Sequence, residues 1–252
     1  MRLFRFAFLV AALAAIVAPA PALAITGGAP DGDAHPEVGL LVAAVPGAGL
    51  QPVCSGTLVA PTVFLTAGHC TAPLAGAGVT RLYVTFDPQP DLLAAPLLAA
   101  SSWTTDPQFG HDRADLHDLA VVLFAAPAPV APAALPRAGA DEGLAPGTIF
   151  TNVGYGYDLR VTGGGPAVFT GGGVRRVSTS PLAAETKTLI KTANANGGVC
   201  YGDSGGPRFL GDTGVVAAVT SGGDSACAGM STGYRLDTPS ARAFLSGFVQ
   251  LP

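Results

Sequence analysis

The chain is poor in charge. Only 12% of its 252 residues are Asp, Glu, Lys or Arg, and the formal net charge is −4. No Lys/Arg-rich run occurs anywhere, which excludes a protein that holds nucleic acid by phosphate neutralisation. There is no C-x-x-C pair, no H-x-x-x-H pair, no Asn-x-Ser/Thr sequon and no internal repeat. A Cys/His zinc site is therefore a poor reading of the four cysteines. After residue 24 no apolar stretch is long enough to span a bilayer. What the chain has in quantity is apolar residues (49%), with 34 Gly and 22 Pro scattered rather than periodic. This composition excludes both an acidic disordered chain and a collagen-like one. It fits an ordered, loop-rich β protein.

The first 24 residues have the layout of an export signal. Arg2 and Arg5 precede the apolar run Phe6 to Val17, Pro19 and Pro21 interrupt it, and Ala22-Leu23-Ala24 is a small-x-small cleavage site. The alternative is an uncleaved anchor, against which the two prolines and the Ala-x-Ala ending argue. The expected mature chain is 25–252, exported to the periplasm or the exterior and free of the membrane once the signal is removed. In such a compartment Cys54, Cys70, Cys200 and Cys227 should form two disulfides. Four cysteines allow three pairings, and the short sequence separations make the sequential one natural.

Short aliphatic runs recur between turn residues: Val38 to Val45, Thr57 to Thr66, Leu82 to Phe86, Leu119 to Phe124, Thr148 to Val153, Leu189 to Ala193 and Gly214 to Thr220. That rhythm predicts an antiparallel sandwich or barrel. Ala125 to Pro136 holds four prolines and reads as an extended connector between two strand-rich halves. Gly163 to Gly173 reads as a surface loop. Asp237-Thr238-Pro239 followed by Ser240 to Val249 predicts a capped terminal helix presenting Phe244, Leu245 and Phe248 on one face.

Three segments carry chemistry. In Gly202-Asp203-Ser204-Gly205-Gly206-Pro207 the glycines allow a sharp turn that exposes a serine hydroxyl and leaves N–H groups free for a developing oxyanion. In Leu65-Thr66-Ala67-Gly68-His69-Cys70 a histidine follows an apolar strand, and imidazole is a base of suitable strength for serine. In His117-Asp118-Leu119-Ala120 a carboxylate precedes an apolar strand, placed for the partial burial that lets it orient an imidazole. Alone, the glycine loop would be a turn and His69 a structural strand-end histidine. Asp112, Asp115, His111 and His117 read as ordinary solvated loop residues.

Taken in order, Ile25-Thr-Gly-Gly, Thr-Ala-Gly-His69-Cys, His-Asp118-Leu-Ala-Val-Val, Val-Gly154-Tyr-Gly156 and Gly-Asp-Ser204-Gly-Gly-Pro resemble the motifs of the chymotrypsin-family (trypsin-like) serine proteases. The resemblance spans essentially the whole mature chain. It implies an all-β fold of two antiparallel six-stranded β-barrels packed together, about 25–136 and 137–252, with a short C-terminal α-helix. It implies a secreted serine endopeptidase with Ser204 as nucleophile, His69 as general base and then acid, and Asp118 as its orienting carboxylate. Gly202 and Ser204 would supply the oxyanion hole, and Cys54–Cys70 and Cys200–Cys227 resemble two family disulfides. Ser221 and Gly223 correspond to the segment that pairs with substrate backbone. Gly198, with Val199 beside it, stands where the family sets the charge of its P1 pocket, which implies a roomy, uncharged pocket for an apolar P1 residue. Asp224 lies on its rim, and Gly222 replaces a usual aromatic. Ile25 follows the signal directly, so its new amine would pair with Asp203 without a separate zymogen. No cofactor or metal is implied. The expected partners are protein or peptide substrates and protein inhibitors of a monomeric enzyme. Two other readings compete: a catalytically inactive homologue serving as a binding module, and an esterase-type hydrolase, since G-D-S-G-G formally fits G-x-S-x-G.

Overall fold

The computed structural model describes residues 25–161, 168–194 and 197–252. The proposed signal segment and part of the Gly163 to Gly173 stretch lie outside them. The strands in chain order are β1 (Ala29–Pro30), β2 (Val38–Val45), β3 (Gly49–Ala60), β4 (Val63–Thr66), β5 (Leu82–Thr85), β6 (Leu98–Thr105), β7 (Ala120–Phe124), β8 (Ile149–Gly154), β9 (Leu159–Val161), β10 (Val168–Thr170), β11 (Arg176–Glu185), β12 (Leu189–Ala193), β13 (Pro207–Leu210), β14 (Val216–Gly223) and β15 (Met230–Arg235). Among the described residues two helices join them, α1 (Gly68–Thr71) and α2 (Pro239–Leu245).

Strands β2-β3-β4-β7-β6-β5 close into one antiparallel barrel, and β8-β11-β12-β15-β14-β13 into a second by the β11–β8 pairing. The cyclic order is the same in both, so a topology repeats although the sequence does not. β1 adds to the outside of β11. Aliphatic and aromatic side chains of the first barrel's strands, such as Leu41, Leu58, Phe64, Leu65, Val84 and Val121, are fully buried, inside the barrel or against its outer face. The second holds Phe150, Ile190, Ala217 and Ala218. Closure removes the exposed edges that an open sheet of these strands would present.

The predicted runs fall on strands with two adjustments. Thr57 to Thr66 is not one strand but the end of β3, a turn at Pro61-Thr62, and β4, because proline interrupts the ladder. The terminal helix stops at Leu245 instead of Val249, with Gly247 in the turn that follows. Thr238 caps it by accepting the Ala241 N–H at 3.3 Å.

The proline-rich connector is extended and sewn to both barrels. Ala128 and Ala133 donate N–H bonds to Pro61 and Leu58 of the first, and the Ala134 carbonyl accepts from Val216 of the second. Arg175, fully buried, ties further segments together. Its guanidinium binds Asp31 (Nε–Oδ2 2.9 Å) and the carbonyls of Val38 and Phe86. Here the cation meets a carboxylate and satisfied carbonyls, so the buried charge is compensated.

Asp141 is a contrasting case. It is buried, one carboxylate oxygen has no hydrogen-bond partner among the described residues, and its backbone N–H donates to Asp237 Oδ2 at 2.9 Å. Burial, with the neighbouring Asp237 charge, raises its pKa to about 7. Folded pKa above the unfolded value means that the unfolded chain is stabilised relative to the fold as pH rises from about 4 to 7. Asp141→Asn is therefore expected to raise the melting temperature by a few degrees at pH 8, with the gain gone by pH 4. Thermal denaturation at the two pH values checks it.

Candidate active site

The cleft between the barrels collects the three chemical segments. The end of β4 delivers Thr66 and Ala67, and α1 carries His69. The cystine Cys54–Cys70 locks α1 to β3, and Cys200–Cys227 ties the serine loop to the turn after β14. Asp118, on the approach to β7, is only 3% exposed. Its Oδ1 accepts the His69 backbone N–H at 2.8 Å, and Oδ2 lies 2.9 Å from His69 Nδ1. Two contacts to one carboxylate fix both the ring orientation and the nitrogen that carries the proton. His69 keeps a side chain 35% exposed, so its other ring nitrogen faces the cleft.

The structure adds a residue to this pair. Ser221 Oγ donates to Asp118 Oδ2 at 2.5 Å. Sequence reasoning put Ser221 on a substrate-binding edge. Its hydroxyl in addition completes the coordination of the buried carboxylate, a role that no local pattern signals because the two residues are 103 positions apart.

Ser204 lies opposite His69 on the second barrel. Its carbonyl accepts the Ser55 N–H at 2.8 Å, and the adjoining Gly205 N–H donates to Thr220 at 2.8 Å. Gly205 has φ +80°, and a Cβ there would stand 2.1 Å from Thr66 Oγ1 and 3.0 Å from the Ala67 nitrogen. Only glycine lets the serine loop press against the strand that presents His69. Ser204 and His69 are not hydrogen-bonded to each other here; such contacts often tighten only with substrate bound. The turn is followed by strand β13, not a helix, which sets it apart from a nucleophile elbow on an α/β fold.

Asp203 points away from the cleft and is 1% exposed. Its two oxygens accept the N–H groups of Gly156 and Cys200, each at 2.8 Å. A Cβ on Gly156 would fall 2.6 Å from the carboxyl carbon, so the Val-Gly-Tyr-Gly segment is shaped around it. Burial pushes the Asp203 pKa up to about 7, against these two hydrogen bonds and the field of Arg208. Arg208, fully buried, is in turn lowered to about 9 by burial. Ile25 is buried as well, and Thr26 bridges to Gly198, whose N–H it accepts at 2.9 Å. Among the interactions of the described residues none links Ile25 to Asp203.

A cavity of about 210 Å³ opens beside Ser204, lined by Val199, the Cys200–Cys227 bridge, Tyr201, Thr220, Gly222, Gly223 and Asp224. Gly198 sits behind Val199 rather than in the lining, its Cα packed against the Asn194 side chain. Asp224 is the one charged residue in the lining, and its oxygens accept the N–H groups of Ala226, Ala228 and Gly229. Those bonds hold its pKa down despite slight desolvation.

Two loop residues expected to be merely solvated are structural. Asp115 accepts the hydroxyl of the buried Tyr234 at 2.6 Å, and His117 lies between Asp106 and Asp115. Cys54, His69 and Cys70 gather within 4.8 Å, but both sulfurs are spent in a disulfide and offer no thiolate to a metal.

Two closed β-barrels flanking a cleft that holds a histidine–carboxylate pair define the class of chymotrypsin-like proteases. The trypsin family model matches residues 35–244, and the chain belongs to this family of serine endopeptidases. Among solved structures it is similar to one described as HL collagenase, at 16% identity and a TM-score of 0.69, covering 89% of this chain and 98% of that one. At that identity the likeness bears on the fold alone. No curated protein matches the sequence.

Removing the Ser221 hydroxyl leaves a buried carboxylate short of one partner. Ser221→Ala is expected to slow inactivation by a fluorophosphonate roughly tenfold, the worth of one hydrogen bond to a charged group, without changing the folded near-UV spectrum. Second-order labelling rates check it.

Proposed function

We propose that the protein is an exported serine endopeptidase that acts through Ser204, His69 and Asp118 by an acyl-enzyme intermediate. The observation that carries this is the His69–Asp118 pair, closed by Ser221 and held against the Ser204 loop. His69 takes the Ser204 proton as the hydroxyl attacks the scissile carbonyl, forming the C–O bond while the carbonyl electrons move to oxygen. It then returns that proton to the departing amine as the C–N bond breaks; in the second half it draws a proton from the attacking water and passes it to Ser204 Oγ as the acyl C–O bond breaks, releasing the acid product. Asp118 stays ionised and supports the imidazolium. The N–H groups of Gly202 and Ser204, which find no acceptor among the described residues, would receive the oxyanion; such a donor is typically worth about 3 kcal/mol. Gly223, at the cavity wall, would pair with extended substrate backbone.

The P1 pocket reading follows from the lining. Apart from Asp224 its lining is neutral, and the Asp224 carboxylate is solvent-exposed and engaged by three backbone N–H groups, which weakens it as a counter-charge for Arg or Lys. Export is supported by the two disulfides, and no helix among the described residues is long and apolar enough to cross a membrane. We further propose that signal removal frees the Ile25 amine to join Asp203, an acid whose burial makes a cation welcome.

Expressed as the full precursor in an exporting host, the protein should form a single fluorophosphonate adduct that is lost in Ser204→Ala. No adduct on a chain beginning at Ile25 would favour an inactive binding module. A chain with one added residue before Ile25 should label at least about tenfold more slowly, since an unpaired buried charge costs a few kcal/mol. Equal rates would overturn the proposed role of the amine.

A further inference from the structure

The backbone around Asp118 is firmly held on one side only. Downstream, Leu119 is fully buried and the chain enters β7, paired with β4 and β6. Upstream, residues 107–116 are exposed except for the half-buried Phe109 and Asp115. His117, with a side chain 17% exposed, is the interior point at which the chain is gripped just before the carboxylate.

His117 holds an uncommon backbone conformation. Its φ is +48°, one of three positive values at non-glycine positions among the described residues. The left-handed region is disfavoured for any residue with a Cβ, although His enters it more readily than most. In that conformation its carbonyl accepts the Leu119 N–H at 2.8 Å, closing a three-residue turn with Asp118 at the centre. The turn packs directly on the start of α1, since a Cβ on Gly68 would stand 3.1 Å from the Leu119 carbonyl oxygen. The aim of Asp118 at His69 thus depends on one residue keeping an unfavourable φ.

The ring of His117 is what holds it there. Nδ1 lies 3.3 Å from Asp106 Oδ2, and Nε2 lies 3.7 Å from Asp115 Oδ2. Each carboxylate is itself anchored. Asp106, buried just after β6, accepts the Gln108 N–H at 2.8 Å and donates its own N–H to the Leu119 carbonyl at 2.9 Å. Asp115 accepts the His117 N–H at 3.3 Å and the Tyr234 hydroxyl at 2.6 Å, the latter from β15 of the second barrel. That hydroxyl is also 3.1 Å from Ser240 Oγ at the start of α2.

Resting on the proposed Ser204 endopeptidase activity, we infer that His117 is a positioning residue for that reaction. Its ring, braced between Asp106 and Asp115, holds the turn that aims Asp118 at His69. Through Asp115 and Tyr234 the brace also ties this turn to the second barrel, which carries Ser204. A residue that merely filled the turn would be replaceable by any other at ease with positive φ. Glycine is such a residue and has no ring, so His117→Gly separates the two roles.

The test compares the mature wild-type enzyme with His117→Gly and His117→Asn. Asparagine tolerates the left-handed region and keeps a polar donor. His117→Gly should react with a fluorophosphonate and cleave a peptide amide about tenfold more slowly, because small misplacements of a catalytic group are costly. Its KM should stay within about twofold, as ground-state binding is untouched, and His117→Asn should recover most of the rate. The downfield proton resonance of His69 Nδ1–H, bonded to Asp118, should broaden or move upfield in His117→Gly. Wild-type rates in His117→Gly would overturn the inference and leave the endopeptidase reading standing. Slower rates with an unaltered His69 resonance would overturn it too, since His117 would then not act through Asp118. If His117→Gly does not fold, Tyr234→Phe replaces it: loss of the bond that steadies Asp115 should slow labelling about threefold, and an unchanged rate would overturn the inference. If the wild-type serine does not label, the endopeptidase reading falls, and the His69 resonance, which needs no reactive serine, still decides whether His117 aims Asp118.

Discussion

The carboxylate of Asp203 is the constraint around which the site is arranged. A buried acid with only backbone N–H groups as partners must have those groups brought to it, and Gly156 and Cys200 supply them. Meeting that demand fixes the serine loop from both ends. Gly154 and Gly156 must lack side chains to admit the carboxylate, and the Gly202 carbonyl is left turned toward Ser55 Oγ at 2.9 Å. The same Ser55 hydroxyl accepts the Tyr155 N–H, so the first barrel grips both segments that surround the acid. The position of Ser204 is thus a by-product of satisfying its neighbour.

A second demand is that two separately closed barrels be held at a stable angle. Each barrel has spent its strand edges on its own closure, so the contacts between them come from side chains, loops and carbonyls. Arg175, Tyr155 and the proline-rich connector supply these, with Tyr155 Oη donating to Asp87 O at 2.9 Å. What this secures is the facing of His69, built on the first barrel, with Ser204 on the second. The cleft is an interface whose centre has been left open, and it is there that polar groups can be held dry enough to matter chemically.

The parts of the fold that could be read in sequence were those whose side chains are buried on both faces or bounded by punctuation. Val38–Val45 and Leu189–Ala193 coincide with the observed strands, and Thr238 caps the terminal helix as its type suggests. Leu98–Thr105 and Arg176–Glu185 escaped notice because they are largely exposed or half-buried and rich in Ser, Thr and Ala, with Pro181 inside one of them, and Met230–Arg235 because its buried positions are mostly Ser, Gly and Arg rather than aliphatic. Their partners in the ladder, not their own composition, make them strands. The bond from Ser221 to the Asp118 carboxylate was not legible for a related reason: it joins residues distant in the chain.

The sequence by itself determined the family, through five short motifs in order, and the all-β character, through short apolar runs broken by Gly and Pro. It also determined which cysteines, histidine and acids could matter, since these are properties of residue type and local spacing. Tertiary structure alone decided how Asp118 is completed, how the Asp203 carboxylate is housed, and that the Arg208 guanidinium is buried within the second barrel. Such features depend on residues far apart in the chain meeting in a water-poor interior. There the cost of leaving a charge unmet, rather than any local preference, sets the arrangement.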